Sequence, residues 1–249
     1  MFPIGDENEH NGVAFISIAF IALNVLAFLF EINRPSERAL QAFITAWGVV
    51  PQEYTAGVDL PPTIPYPLWT TLLTSMFLHG GWLHLGGNML FLWVFGNNIE
   101  DTMGHVRYLV FYLLCGLAAS GLQVLINTNS EVPLVGASGA ISGVLAAYLV
   151  LFPHGKIRTL LLIGIPLMIL EPAWGMIGYW IVIQFVNGLL SLGVETAETQ
   201  GGVAYFAHIG GFIAGAALVL LFRDREIQER HQSAREGSQA FQRSRVFSR

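Results

Sequence analysis

A serine, two histidines and an asparagine stand where an apolar chain has no ordinary reason to put them. Ser138 lies in Gly136-Ala137-Ser138-Gly139, at the start of one hydrophobic stretch; His208 lies near the start of another, and His84 and Asn88 fall at i and i+4 in a third. A hydroxyl beside an imidazole is a nucleophile beside its general base. His84 and Asn88 share one helical face and both can donate hydrogen bonds, so aimed at Ser138 they would hold a developing oxyanion. The amide N–H groups that Gly136 and Gly139 leave bare at a helix N-terminus would help them. Taken singly, a serine at a helix start is a cap and a histidine in an apolar helix is a packing residue. It is their convergence that points to acyl-transfer chemistry.

Convergence depends on the elements that carry these residues. Of the 249 residues, 53% are hydrophobic and 12% charged, and the charged share is about half that of a soluble globular domain. This composition is that of a membrane protein. Six apolar segments of the length a bilayer requires are expected at approximately 13–31, 83–99, 106–126, 138–152, 166–191 and 204–222, where about 20 residues cross a core of roughly 30 Å. Residues 157–165 are too few to cross and are read as an interfacial or partly buried segment leading into a single fifth span.

The chain then divides into a short N-terminus, 1–12, a six-span unit, 13–222, and a basic tail, 223–249, able to touch anionic lipid. The acidic N-terminus lacks the basic region of a secretory signal, so the first span is expected to stay in the mature protein. An even span count puts both termini on one side. With the tail assigned to the cytoplasm, ten Lys and Arg lie inside, namely Arg107, Lys156, Arg158 and seven tail arginines, against Arg34 and Arg38 outside.

Spans two, four and six begin on the outer side, and each carries its unusual polar residue near that beginning. The fourth is too short to cross alone. Ser138 starts roughly 8 Å and His208 roughly 6 Å below the outer surface at 1.5 Å per residue. Gly139, Gly143 and Ala147 make a small-residue stripe on span four, matched on span six by Gly211 and Gly215 four apart, the spacing that permits close helix contact. His79, five residues before His84, is read as a brace for the long outer loop, 32–82. Glu100 and Asp101 are read as partners of Arg107.

Competing chemistries lack their residues. The glycine-rich run has no Lys-Ser/Thr ending of a phosphate-binding loop, no His-Glu-x-x-His occurs, and the outer halves of spans two, four and six hold no carboxylate. No cofactor, metal, nucleotide or nucleic acid is expected, and the Ser-His pair should work as a dyad. A channel would need polar groups reaching the inner side, which these spans do not offer.

Three motifs, "HGGWLHLGGNMLFLWVFGNNIEDTMG", "GASGAISG" and "AHIGGFIAG", occur in that order on spans two, four and six. The chain resembles the rhomboid intramembrane serine proteases in their basic six-span form, across all six spans. The resemblance implies an all-α polytopic bundle with Ser138 as nucleophile, His208 as base and His84 and Asn88 at the oxyanion. His79 corresponds to the family's upstream histidine, and Glu100 with Gly104 to its Glu and later glycine. Two positions depart: the family's Trp-Arg pair is Trp69-Thr70 here, and the aromatic residue that some members place four after the serine is Ser142. The implied substrates are single-span membrane proteins cut near the outer face, at segments that unwind easily and carry a small residue before the scissile bond. The implied location is a bacterial or archaeal plasma membrane. The alternative is a non-catalytic relative that binds or escorts membrane proteins.

Overall fold

The computed structural model describes residues 2–8, 12–192 and 203–224. Helices dominate: α1 Phe15–Ile32, α2 Glu37–Trp47, α3 Pro51–Ala56, α4 Thr71–Thr74, α5 Trp82–Met103, α6 His105–Ile126, α7 Ser138–Leu151, α8 Ala173–Ser191 and α9 Tyr205–Phe222. Four of them, α1, α6, α8 and α9, are long and apolar enough to cross a membrane. Five of the six expected segments are helices where the sequence places them, with α5 running on to Met103.

The expected fifth span is corrected. Residues 156–172 form two antiparallel strands, β2 Lys156–Ile163 and β3 Ile165–Pro172, and the helix begins only at Ala173. A third strand, β1 Phe2–Asp6, pairs with β2, giving a sheet of order β1-β2-β3. The all-α expectation therefore misses a sheet. Its physical basis lies in β-branched residues at alternate positions, Ile157, Thr159, Ile163, Ile165 and Ile169, around a tight turn at Gly164, whose φ is +88°. Pro166, which has no N–H to donate, is tolerated on the edge strand β3. Of the expected outer loop 192–203, residues 193–202 lie outside the described residues, as do residues 225–249 of the tail, His10 and His231.

The core is built around α7, which is buried from Gly139 to Tyr148. It can be central because its neighbours reach backbone contact. A Cβ on Gly211 would fall on the Gly139 carbonyl, one on Gly215 on the backbone of Gly143, and one on Gly143 on the Cys115 side chain of α6. Side chains as small as hydrogen at these points let α6, α7 and α9 close together.

The ends of the bundle are held by polar side chains. The Glu100 carboxylate on α5 accepts the backbone N–H groups of Ile16 and Ser17, both at 2.8 Å, and the Ser17 hydroxyl at 2.8 Å. It thereby caps the N-terminus of α1, which has no side-chain cap of its own. His105 also reaches Glu100, at 2.6 Å. The expectation that Arg107 pairs with this carboxylate is corrected: Arg107 pairs with Asp224 at 2.8 Å, tying the start of α6 to the end of α9. β1 is seated by Asp6, which accepts from Asn98 at 2.9 Å and Tyr148 at 2.7 Å. At the opposite end, the outer loop and the 127–137 loop are joined by a two-way backbone bridge between Val49 and Leu134.

Candidate active site

Ser138 is the first residue of α7, yet its side chain does not cap that helix. Its Oγ lies 2.8 Å from Nε2 of His208 on α9, and the serine itself is only partly buried. The close contact between the two helices at Gly139–Gly211 is what brings these side chains within reach. A second helix that the sequence reading did not use completes the arrangement. On α8, Gln184 Oε1 is 2.8 Å from His208 Nδ1, and the Gln184 amide nitrogen donates to the Trp180 carbonyl at 3.4 Å.

These contacts fix protons. An amide oxygen can only accept, so His208 carries its hydrogen on Nδ1 and leaves the Nε2 lone pair for the Ser138 hydroxyl. That is the tautomer of a general base. The Trp180 ring lies 5.6 Å from the His208 ring, inclined at 38°, and so an aromatic residue on α8 flanks the imidazole, at the site where Ser142 supplies none. Ser142 donates back to the Ser138 carbonyl at 2.6 Å.

His84 and Asn88 sit across a glycine from this pair. Gly136 has φ +122°, a conformation side chains rarely adopt, and a Cβ there would come 2.8 Å from His84 Nε2 and 3.6 Å from Asn88 Nδ2. His84 Nδ1 accepts the Gly80 N–H at 3.3 Å, which puts its proton on Nε2, on the side facing Gly136. The Asn88 amide nitrogen is buried and has no hydrogen-bond partner among the described residues. Two donors thus lie beside Gly136, and among the described residues no acceptor takes up either the Asn88 Nδ2 or the His84 Nε2 hydrogen.

The turn that supplies Gly80 is held in place from α1. His79 donates its backbone N–H to both oxygens of Glu31, at 3.0 and 3.3 Å, and Glu31 is fully buried at the end of α1. The His79 Nδ1 lies 3.3 Å from the Phe77 carbonyl, and its ring meets that of His84 edge-on at 5.0 Å. Burial, with a smaller push from the neighbouring His84, lowers His79 to about 4, so this ring stays neutral. His79 thus lies between the Phe77 turn and the His84 ring, and Glu31 is a member of the arrangement that the sequence reading passed over. A small cleft lies beside Ser138, with Met76, Gly116, Ala119, Gly139 and Ala207 among its walls.

Comparison with known proteins gives this geometry a family. A domain model described as "Rhomboid domain" matches residues 67–225. "Rhomboid protease GluP" of Bacillus subtilis is 32% identical over 211 residues, 84% of this chain and 36% of that protein. "Rhomboid-type serine protease 2" of Emericella nidulans is 31% identical over 153 residues, 61% of this chain and 26% of that protein. "Presenilin-associated rhomboid-like protein, mitochondrial" of Mus musculus is 32% identical over 172 residues, 64% of this chain and 41% of that protein. The chain spans well under half the length of these three relatives. With four helices apolar enough to cross a membrane and a domain match over more than half its length, the chain is an integral membrane protein belonging to the rhomboid family, which includes named serine proteases.

Proposed function

We propose that this protein is an intramembrane serine endopeptidase that cuts the transmembrane segments of other membrane proteins with Ser138 and His208. The observation that carries the reading is the 2.8 Å contact from His208 Nε2 to Ser138 Oγ, in the tautomer set by Gln184. Ser138 Oγ attacks the scissile carbonyl as His208 Nε2 takes its proton. The tetrahedral oxyanion is received by the Ser138 N–H, His84 Nε2–H and Asn88 Nδ2–H, donors already in place before charge develops. His208 then returns the proton to the leaving amine, and water, deprotonated by the same nitrogen, releases the acyl group.

A transmembrane helix hides its carbonyls in its own hydrogen bonds, so substrates are segments that unwind readily near the cut. Glycine and alanine at Gly116, Ala119, Gly139 and Ala207 leave the cleft beside Ser138 suited to a small side chain preceding the scissile bond. The six apolar segments are read as six spans, with both termini on the cytoplasmic face and the site near the outer one. Single-span membrane proteins are the proposed substrates, and a bacterial or archaeal plasma membrane the proposed location.

The test is cleavage of a fluorogenic single-span substrate by the purified chain in liposomes. Ser138→Ala and His208→Ala should each abolish turnover while leaving the thermal unfolding midpoint close to that of the unaltered protein. Cleavage retained by either variant overturns the dyad. A folded protein that cuts none of a panel of substrates but still captures them, with Ser138→Ala equal to the unaltered chain, favours the non-catalytic escort reading.

A further inference from the structure

The β2–β3 hairpin belongs to no part of the proposed site and is placed at the other end of the bundle. It follows the C-terminus of α7, the helix that begins at Ser138, after residues 152–155, and β3 runs into α8 with no residue between Pro172 and Ala173. Two helices of the bundle thus end at its base. Trp174, the second residue of α8, is 58% exposed there, and exposed tryptophans collect at the membrane–water boundary. Eight-residue strands reach about 26 Å at roughly 3.3 Å per residue, so the tip can travel far from that base.

The pairing register sorts the side chains. On one face Ile157 and Thr159 are fully buried against the bundle, whereas cross-strand rows Phe2–Leu160–Met168 and Leu162–Pro166 occupy the other. Toward the tip both faces become open: Leu162 is 59% and Met168 53% exposed, and Leu167, on the opposite face, is 49% exposed. A water-facing antiparallel strand should alternate with polar residues, and an apolar edge strand invites aggregation. No polar alternation is present at this tip, where Pro166 alone interrupts the edge. The charges are at the base instead, where Lys156 and Arg158 share the open face, with Glu7 following β1 beside Lys156.

We propose that this hairpin is an interfacial membrane anchor, its Leu160–Met168 tip immersed at the headgroup–acyl boundary of the leaflet remote from Ser138 and Lys156 and Arg158 set against anionic headgroups. Apolar tip and basic base follow the order in which a leaflet presents hydrocarbon and phosphate, and Trp174, beside the base, sits where an interfacial tryptophan belongs. The placement depends neither on catalysis nor on which side of the membrane is cytoplasmic.

The full chain, with Cys115→Ala as background, would be labelled with an environment-sensitive fluorophore at Met168→Cys or Leu162→Cys and reconstituted in liposomes of neutral lipid with or without anionic lipid. Emission should shift to the blue, with quenching several-fold stronger by a nitroxide carried on the acyl chain than by aqueous iodide. The label at His154→Cys should show the reverse preference. Lys156→Glu with Arg158→Glu should abolish the gain in lipid quenching that anionic lipid brings. Iodide-accessible labels at positions 162 and 168 would overturn the proposal by placing the hairpin in water. Shielding from both quenchers that changes with the protein-to-lipid ratio would overturn it by placing a second copy on the tip.

Discussion

With Gln184 Oε1 on one side and Ser138 Oγ on the other, the imidazole of His208 has a single tautomer that satisfies both. An amide in place of a carboxylate orients the ring without adding charge to an apolar interior, where an unpaired ion is expensive. Under the proposed mechanism, Gln184→Ala frees the ring and lowers kcat by roughly 10- to 100-fold, less than the roughly 10²- to 10⁴-fold that general base catalysis contributes in full because the base itself remains, with KM nearly unchanged. Gln184→Glu keeps an acceptor for Nδ1–H and should retain more activity than the alanine variant; steady-state cleavage in liposomes distinguishes them. Glu31 acts one step further back, through the His79 N–H and the turn that gives Gly80 to His84. Glu31→Ala should lower kcat by roughly tenfold through a misaimed His84, whereas Glu31→Gln, which keeps a carbonyl oxygen, should recover most of it. A loss in both variants with a matching fall in thermal stability would mark Glu31 as a packing residue only. Ser138, His208, His84 and Asn88 were legible in the sequence because polar groups inside apolar runs stand out. Gln184 obeys the same rule and was obscured by a fifth segment whose length looked wrong. Glu31 was hidden by its position at a span end, where a charge needs no explanation.

At the scale of the element, legibility followed periodicity. Helices α1, α6 and α9 are long, predominantly apolar runs, and the sequence marks them within a residue or two. Residues 156–172 are also nearly all apolar, and in such a run strand and helix look alike, because the alternation that marks a strand disappears when both faces carry aliphatic side chains. Gly164 and the β-branched residues flanking it were the available signal. The small-residue stripe, by contrast, was read correctly as a contact, and its tightness makes a strong prediction. A side chain at position 215 meets the backbone of Gly143, which cannot rotate aside. Gly215→Leu should therefore destabilise the bundle by about 3 kcal/mol, the upper part of the usual range for overpacking, and lower the thermal midpoint in detergent well below that of Ser138→Ala. An unchanged midpoint would mean that α7 and α9 are held apart by more than the glycine contact implies.

Across the whole molecule, the two expected spans whose helices are not both long and apolar enough to cross a membrane, α5 and α7, are the two that the site requires to be unusual. Helix α5 carries Asn88, Asn97, Asn98, Glu100 and Asp101, while α7 has 14 residues and spans only about 21 Å at 1.5 Å per residue. A short helix is admissible at the centre because α5, α6, α8 and α9 pack around it, and Ala137, immediately before Ser138, is fully buried, where irregular backbone is tolerated at membrane depth. Counting both as spans makes six, and six returns the chain to the side on which it began. The sheet agrees with that parity: β1 precedes α1 and pairs with β2, which follows α7, so the start of the chain and the α7–α8 connection lie at the same end. Under the proposed six-span reading that end is the cytoplasmic one, the side favoured by the ten-to-two distribution of Lys and Arg. In a Cys115→Ala background, a membrane-impermeant maleimide added to intact cells should label Ser130→Cys in the 127–137 loop, and should label His154→Cys only after the membrane is opened. Labelling of both in intact cells would break the six-span count, and the reverse pattern would invert the protein and move Ser138 to the inner face, with substrates then cut on that side.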